Sequence, residues 1–417
     1  MIVLVNFNSY LGGGETLFLR MAKYLSDNGE KIKLFYLNKS YIADDIKRVG
    51  ILEEALCPYS MNINYYYLNK NEKQNILMHF VRNLQDEKNI KLISFCYRDL
   101  YLLVDVAKTI KDSTIIHLIL HDEDNLYLCQ TLVNKLQYRF LKKKKFSNNK
   151  LLEFNNKLFY ELNVANALIG EKETTKIVMR RYGIELLDSV IVPPPMCEFD
   201  CNPPFINKGK RILWIGRFVD FKLPAIVSML EFISVHRDYT LSLIGDGDMA
   251  FIKRIAKERR LDLANVKFLG QQSYDKIGEI IKEHSIGYAC GTSIVEIGKY
   301  GLPVITALFS PYHKLYSKSI CGGLYNNKYK GNEGNNLLVG ETEDQQPLIE
   351  TVIAEIENDF DGSRQKSYDC MKADFTLSTN MKKYLIIINN AKSLDYSKIT
   401  IPSCNFFRRI IYNFFYK

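Results

Sequence analysis

Short apolar runs alternate with helix-spaced segments twice along this chain, and five of its eleven prolines fall between the two passages, in residues 193–204 (PPPMCEFDCNPP). In the first passage, residues 2–5, 32–36, 92–95, 115–120, 167–169 and 190–192 read as strands, and residues 15–27 place Leu17, Met21 and Leu25 at helical spacing. In the second passage the strand candidates are 212–215, 240–244, 266–268, 286–289 and 303–306. Strands separated by helices pack as a parallel, doubly wound sheet. The proline-dense stretch cannot be helical and reads as a linker. A length of 417 residues is too long for one ordinary core and suits two. The expected fold is therefore α/β, with two Rossmann-like doubly wound domains facing a central cleft. The first spans residues 1–192, the linker 193–204 and the second 205–371. A helix over 372–392 then crosses back to the first domain, and a basic aromatic tail occupies 393–417.

The net charge of +9 favours an anionic partner. Nucleoside diphosphates, nucleic acid and anionic lipid all meet that description, so charge alone does not choose among them. Nine cysteines lie scattered without a CxxC pair, which points away from a zinc site or a disulfide framework and toward free thiols in a reducing cytoplasm. The opening MIVLVNF reads as a first strand, and no apolar run approaches the ~20 residues that cross a bilayer. Two segments nonetheless mix cations with aromatics. Lys142–Lys145 is flanked by Tyr138, Phe140 and Phe146, and Arg408 and Arg409 stand among Phe406, Phe407, Phe414 and Phe415. That chemistry suits an anionic bilayer surface, so the chain is expected in the cytoplasm, peripheral at the inner face of the membrane. A solvated helix face is the plain alternative for the lysine run. No recognition fold accompanies the charge, so nucleic acid is not expected as a partner.

Three segments could carry phosphate chemistry. Residues 11–20, LGGGETLFLR, put three glycines between a strand and a helix. There the backbone can approach a ligand, and the helix start offers unpaired N–H groups; a flexible turn is the alternative. Residues 211–222, RILWIGRFVDFK, run a strand into Gly216 and Arg217, with Lys222 five residues later. Two cations at a strand's carboxyl end can neutralise a departing diphosphate without a metal. Residues 291–301, GTSIVEIGKYG, follow another strand; Thr292 or Ser293 can cap a helix whose first amides hold a phosphate, with Glu296 one turn in. Asp122–Glu123–Asp124 and Asp246–Gly247–Asp248 read as acidic surface turns rather than metal ligands. His79, His236, His284 and His313 carry no spacing signal.

Together, GGGETLFLR, WIGRFVDFK, LIGDGD, VKFLGQ and GTSIVEIGKYGLPVI, in that order, resemble the retaining GT-B glycosyltransferases of family 4, also called group 1. The match is strongest over residues 211–306. The resemblance implies a nucleotide-sugar donor as substrate, no cofactor, no metal, and a glycan or lipid-linked acceptor, as in bacterial surface polysaccharide synthesis. By the same likeness, Arg217 and Lys222 would bind the donor diphosphate, with Gly216 between strand and cation. Gly291, Thr292 and Ser293 would add amides and Glu296 would bind the ribose. Phe268 to Gly270 would present main chain to the base beside Gly245, and Gly13 and Gly14 would approach from the first domain. His121 falls where such enzymes often place a histidine near the transferred sugar. Tyr288 stands where the family carries a second glutamate, eight residues before Glu296, and Leu223 replaces the glycine after the lysine. A glycosyltransferase-like partner that binds without catalysis, and another GT-B enzyme such as a nucleotide-sugar epimerase, are the competing readings.

Overall fold

The structure is a computed structural model. It describes residues 1–9, 12–60, 64–120, 149–180, 184–187, 190–219, 221–308, 315–326 and 342–404. The chain forms two compact units. Unit 1 comprises Met1–Pro195 and the chain from Thr379, and unit 2 comprises Met196–Ser378.

Unit 1 runs β1 (Ile2–Asn6), α1 (Gly13–Asp27), β2 (Ile32–Leu37), α2 (Tyr41–Val49), β3 (Leu56–Tyr59), α3 (Lys70–Leu84), β4 (Ile90–Ser94), α4 (Tyr97–Thr109), β5 (Ser113–Ile119), α5 (Asn149–Val164), β6 (Leu168–Gly170) and α6 (Thr174–Arg180). The strands pair in the order β3-β2-β1-β4-β5-β6, every pairing parallel. β1, β4 and β5 are buried along their whole lengths, which is why they read as apolar runs rather than alternating patterns. The chain winds outward from β1 through β2 to β3, then restarts at β4 on the other side. The switch point therefore lies between the carboxyl ends of β1 and β4. β3 went unread in the sequence because it is four residues long and contains Pro58, which only an edge strand tolerates. Residues 190–192, expected as a strand, contribute only an isolated parallel bridge from Ile191 to Gly170.

Unit 2 runs β7 (Arg211–Ile215), α7 (Leu223–Val235), β8 (Thr240–Ile244), α8 (Met249–Glu258), β9 (Val266–Gly270), α9 (Tyr274–Lys282), β10 (Ile286–Ala289), α10 (Ser293–Gly298), β11 (Val304–Thr306), α11 (Ile349–Asn358) and α12 (Phe360–Phe375). Its parallel sheet has the order β11-β10-β7-β8-β9. Trp214, fully buried on β7, packs against the equally buried Tyr288 of β10 with ring centroids 5.6 Å apart. α7 is apolar on nearly every side (LPAIVSMLEFISV) and buries most of its residues, which fixes the start of this helix against the core. Pro224 sits in its first turn, where the missing N–H has no helical partner to lose.

One expectation about the connections differs from what is observed. The single helix expected over 372–392 is two helices, α12 and α13 (Leu377–Asn390). The break falls at Thr376, whose extended backbone (ψ 123°) forms a parallel bridge with Cys197. Residues 196–204 are held by unit 2: Met196 N–H donates to Phe375 O at 3.0 Å, Lys372 donates to the carbonyls of Asp200 and Cys201, and Arg364 to those of Pro203 and Pro204. After α13 the chain returns to the first sheet. Lys392 N–H donates to Ala165 O at 2.9 Å, and Ile115 N–H donates to the Tyr396 hydroxyl at 2.9 Å.

Candidate functional site

In unit 2 the chain winds from β7 through β8 to β9, then returns to the other side of β7 to place β10. Its switch point therefore lies between the carboxyl ends of β7 and β10, the position where open α/β sheets bind ligands. The turn after β7 carries Gly216, Arg217 and Lys222; the turn after β10 carries Gly291, Thr292, Ser293 and then Glu296. Two separate sequence segments thus flank one switch point because the sheet order makes their strands neighbours.

The turn after β7 is built on backbone contacts. Gly216 N–H donates to Ile244 O at 2.9 Å, and the Trp214 indole donates to Gly216 O at 3.1 Å. Phe218 N–H donates to Asp246 O at 2.7 Å, and Asp248 N–H returns to Phe218 O at 2.9 Å. Gly245 lies so close that a Cβ there would sit 2.0 Å from Gly216 O. Only glycine permits this approach. With the turn pinned, Lys222 takes the N-cap position of α7 and its side chain reaches back. Its ammonium lies 3.5 Å from where a Cβ on Gly216 would be, and 5.9 Å from the centre of the Phe221 ring. Lys222 is half-buried. Arg217 is exposed and makes no hydrogen bond or ion pair among the described residues.

The turn after β10 depends on Gly291, whose φ of +67° is left-handed and faces open space. The expected side-chain cap is absent. Thr292 occupies the cap position in a helical conformation (φ −57°, ψ −21°) rather than the extended one a capping side chain uses, and no side-chain cap bond forms. Glu296 pairs with Lys299 at 2.6 Å, a partner the sequence reading did not single out although the i,i+3 spacing was there to see. Tyr288 is a core residue. Its hydroxyl donates to Ala225 O at 3.0 Å, and burial pushes its pKa far up. Phe268 is half-buried on the edge strand β9, with the Lys253 ammonium 5.8 Å from its ring centre; Gly270 ends that strand at φ +67°. In the acidic turn, Asp246 accepts Gly247 N–H at 2.7 Å and Asp248 caps α8 by accepting Phe251 N–H at 2.9 Å.

In unit 1, Gly13 and Gly14 open α1. A Cβ on Gly14 would meet Leu120 at 3.3 Å, and Gly12 caps the helix without a side-chain bond. His121, Asp122–Glu123–Asp124 and Lys142–Lys145 lie outside the described residues, as does the segment from 405 on. At the carboxyl ends of β1 and β4 the structure gathers polar groups that sequence reasoning missed: Asn6, Asn8, Glu15, Arg98 and Asp99. They come from three separate stretches, and only Glu15, next to the glycines, carried a local signal. Deeper in the sheet, the buried His117 Nδ1 lies 3.1 Å from Ser94 Oγ and its ring meets Phe159 edge-on, which makes it a packing histidine.

No protein-family model matches the sequence, and no curated protein matches it. Solved structures do. The chain is similar to Anabaena HepE in complex with UDP and glucose, with a TM-score of 0.58 and 14% identity over 93% of this chain and 99% of that one. It is similar to the pneumococcal O-GlcNAc transferase GtfA in complex with UDP and GlcNAc, at 0.59 and 9% over 94% and 98%. A glycosyltransferase from Rickettsia africae gives 0.55 and 13% over 96% and 99%. Two parallel, doubly wound α/β units in one chain, matched almost end to end by these glycosyltransferases, make the GT-B fold the fold of this protein.

Proposed function

We propose that the protein is a glycosyltransferase, which moves a sugar from a nucleotide-sugar donor to a membrane-associated, lipid-linked glycan with retention of configuration. The observation that supports this reading is that the turns carrying Arg217 and Lys222, and Gly291, Thr292 and Ser293, follow neighbouring strands on either side of the switch point of the second sheet. An acceptor hydroxyl attacks the anomeric carbon, the bond from that carbon to the donor phosphate breaks, and a nucleoside diphosphate leaves. Arg217 and Lys222 neutralise its growing charge, the amides of Thr292 and Ser293 add donors, and Glu296 accepts from the ribose. Catalysis of this kind is positioning and charge stabilisation, with little covalent help. The first unit takes the acceptor. The basic and aromatic residues of 138–146 and 406–417 support a cytoplasmic enzyme lying on anionic lipid, in bacterial surface polysaccharide assembly.

HepE and GtfA were crystallised with UDP, so a UDP-sugar is the first donor to test. Donor at a hundredfold excess over its Kd should stabilise the fold by about 2.7 kcal/mol, read as a raised unfolding midpoint. A midpoint unmoved by the common nucleoside diphosphates and their sugars overturns the reading. Tyr288, buried where the family has a carboxylate, favours a second reading: a binding partner without turnover. UDP-glucose stabilisation without UDP release in the presence of membrane extract selects it.

The two cations supply the positive charge that a metal supplies elsewhere, and the carboxylates of Asp246 and Asp248 are engaged by backbone N–H groups. Transfer should therefore proceed at an unchanged rate in EDTA. A loss of more than about tenfold, restored by a divalent cation, assigns the charge stabilisation to a metal instead.

A further inference from the structure

The switch point of the first sheet holds a polar network of residues not assigned to the donor. Asn8, in the turn after β1, is gripped at both ends of its side chain. Its Nδ2 donates to Glu15 Oε1 at 2.9 Å and its Oδ1 accepts Arg98 Nη2 at 2.7 Å; its backbone N–H donates to Asn6 Oδ1 at 3.0 Å. Glu15, on α1, is 2% exposed. Arg98 is the second residue of α4, and the next residue, Asp99, is 3% exposed. The Asp99 carboxyl accepts the backbone N–H of Phe7, and its Oδ2 is buried with no hydrogen-bond partner. A lone buried carboxylate oxygen is costly when charged and far less so when the group keeps its proton.

The groups that face Asp99 are few. Its own helix supplies Arg98, α1 supplies Glu15, and the end of β1 supplies only the Phe7 N–H. The turn before α4 supplies the Cys96 thiol, itself pushed up by burial. Among the described residues, β4, β5, α3 and the 3₁₀ turns at 65–67 and 396–398, all packed on α4, present no other charge that moves it. Burial is the largest influence and lifts the Asp99 carboxyl from 3.8 to about 7; Glu15 lifts it too, while Arg98 and the Phe7 N–H pull it down.

We propose that Asp99 is a positioning residue, whose proton controls how firmly Arg98 holds Asn8 at the switch point of the first sheet. While the carboxyl is protonated, Arg98 stays on Asn8. When the proton leaves to solvent, the buried carboxylate competes for the Arg98 guanidinium and Asn8 is released. The functional arm of the test rests on the glycosyl-transfer reading, with this unit as the acceptor side; the structural arm does not.

The structural arm is NMR of the full-length chain labelled with ¹⁵N in asparagine and arginine, titrated from about pH 5 to about pH 9. The Asn8 side-chain amide and the Arg98 Nε should move together with one midpoint near neutrality, and the movement should vanish in Asp99→Asn. A static Asn8 amide, or the same transition persisting in Asp99→Asn, overturns the proposal. Thermal unfolding gives a second measurement. A carboxyl whose folded pKa is raised contributes stability that is present below its unfolded value and lost as pH rises through the folded one. The wild type should therefore weaken relative to Asp99→Asn between about pH 4 and about pH 7; parallel curves count against it. In the functional arm, the ratio of UDP-glucose turnover at alkaline to acid pH should rise at least about threefold in Asp99→Asn. If the wild type turns nothing over while the NMR transition behaves as stated, the transfer reading fails and the positioning role stands.

Discussion

Replacing Lys222 by Ala should cut sugar transfer about 10²–10³-fold while leaving the unfolding midpoint of the protein nearly unchanged. The magnitude is that of removing one preorganised charge-assisted donor from a developing anion. The small stability effect follows from where the side chain lies. Its ammonium reaches over the Gly216 turn and touches no carboxylate among the described residues, so its loss leaves no buried partner orphaned. On the proposed reading the charge acts on the leaving group, so kcat should fall more than KM rises. Arg217→Ala should behave alike, and the exposed position of Arg217 makes its effect on folding smaller still. Full transfer rates in both variants would remove the two cations from the reaction, and with them the main support for the second unit as donor site.

Gly245→Ala is expected to be the most destabilising substitution in the second unit's site. A Cβ there would lie 2.0 Å from Gly216 O and 2.8 Å from Gly216 C, both backbone atoms that cannot swing aside. Either β8 or the turn after β7 must move, at a cost of about 3 kcal/mol or more. For a unit of this size that lowers the unfolding midpoint by roughly 6–12 °C. Gly270→Ala is the control. Its φ of +67° is equally unfavourable for alanine, but nothing lies within 4 Å of the added atom, so it should cost only about 1–2 kcal/mol. Calorimetry in which the two variants melt together would show that conformation rather than close approach requires glycine at 245. The displaced turn also carries Lys222, so Gly245→Ala should bind UDP more weakly than the wild type even well below its melting point.

The alternation of apolar runs and helical spacing was legible because buried parallel strands leave a sequence signature that needs no context. The strands of unit 2 fall within a residue or two of their expected places for that reason. What escaped the sequence depends on neighbours distant along the chain. Pro58 hid β3, since only the order of the finished sheet reveals an edge. Thr376 breaks a helix that its own residues would continue, because the backbone of Cys197 engages it. Asn8, Glu15 and Arg98 form one network from residues up to 90 positions apart, and of these only Glu15 lies in a segment that carries a motif. Lys299 stands at helical spacing from Glu296, at the cap of the same helix, so their ion pair was legible from spacing alone.

The return of the chain to the first sheet has a consequence for synthesis on the ribosome. Unit 1 is encoded first yet is completed last. The amide of Ile115 waits for the hydroxyl of Tyr396, and the carbonyl of Ala165 waits for the amide of Lys392. Unit 2 is contiguous in the chain and has every residue it needs by Ser378. The nascent polypeptide thus closes its inner module before its outer one, the reverse of the usual N-terminal-first order. Until the last stretch leaves the exit tunnel, β5 and β6 stand without their final cover, and any early stop after residue 378 strands the first module half-built.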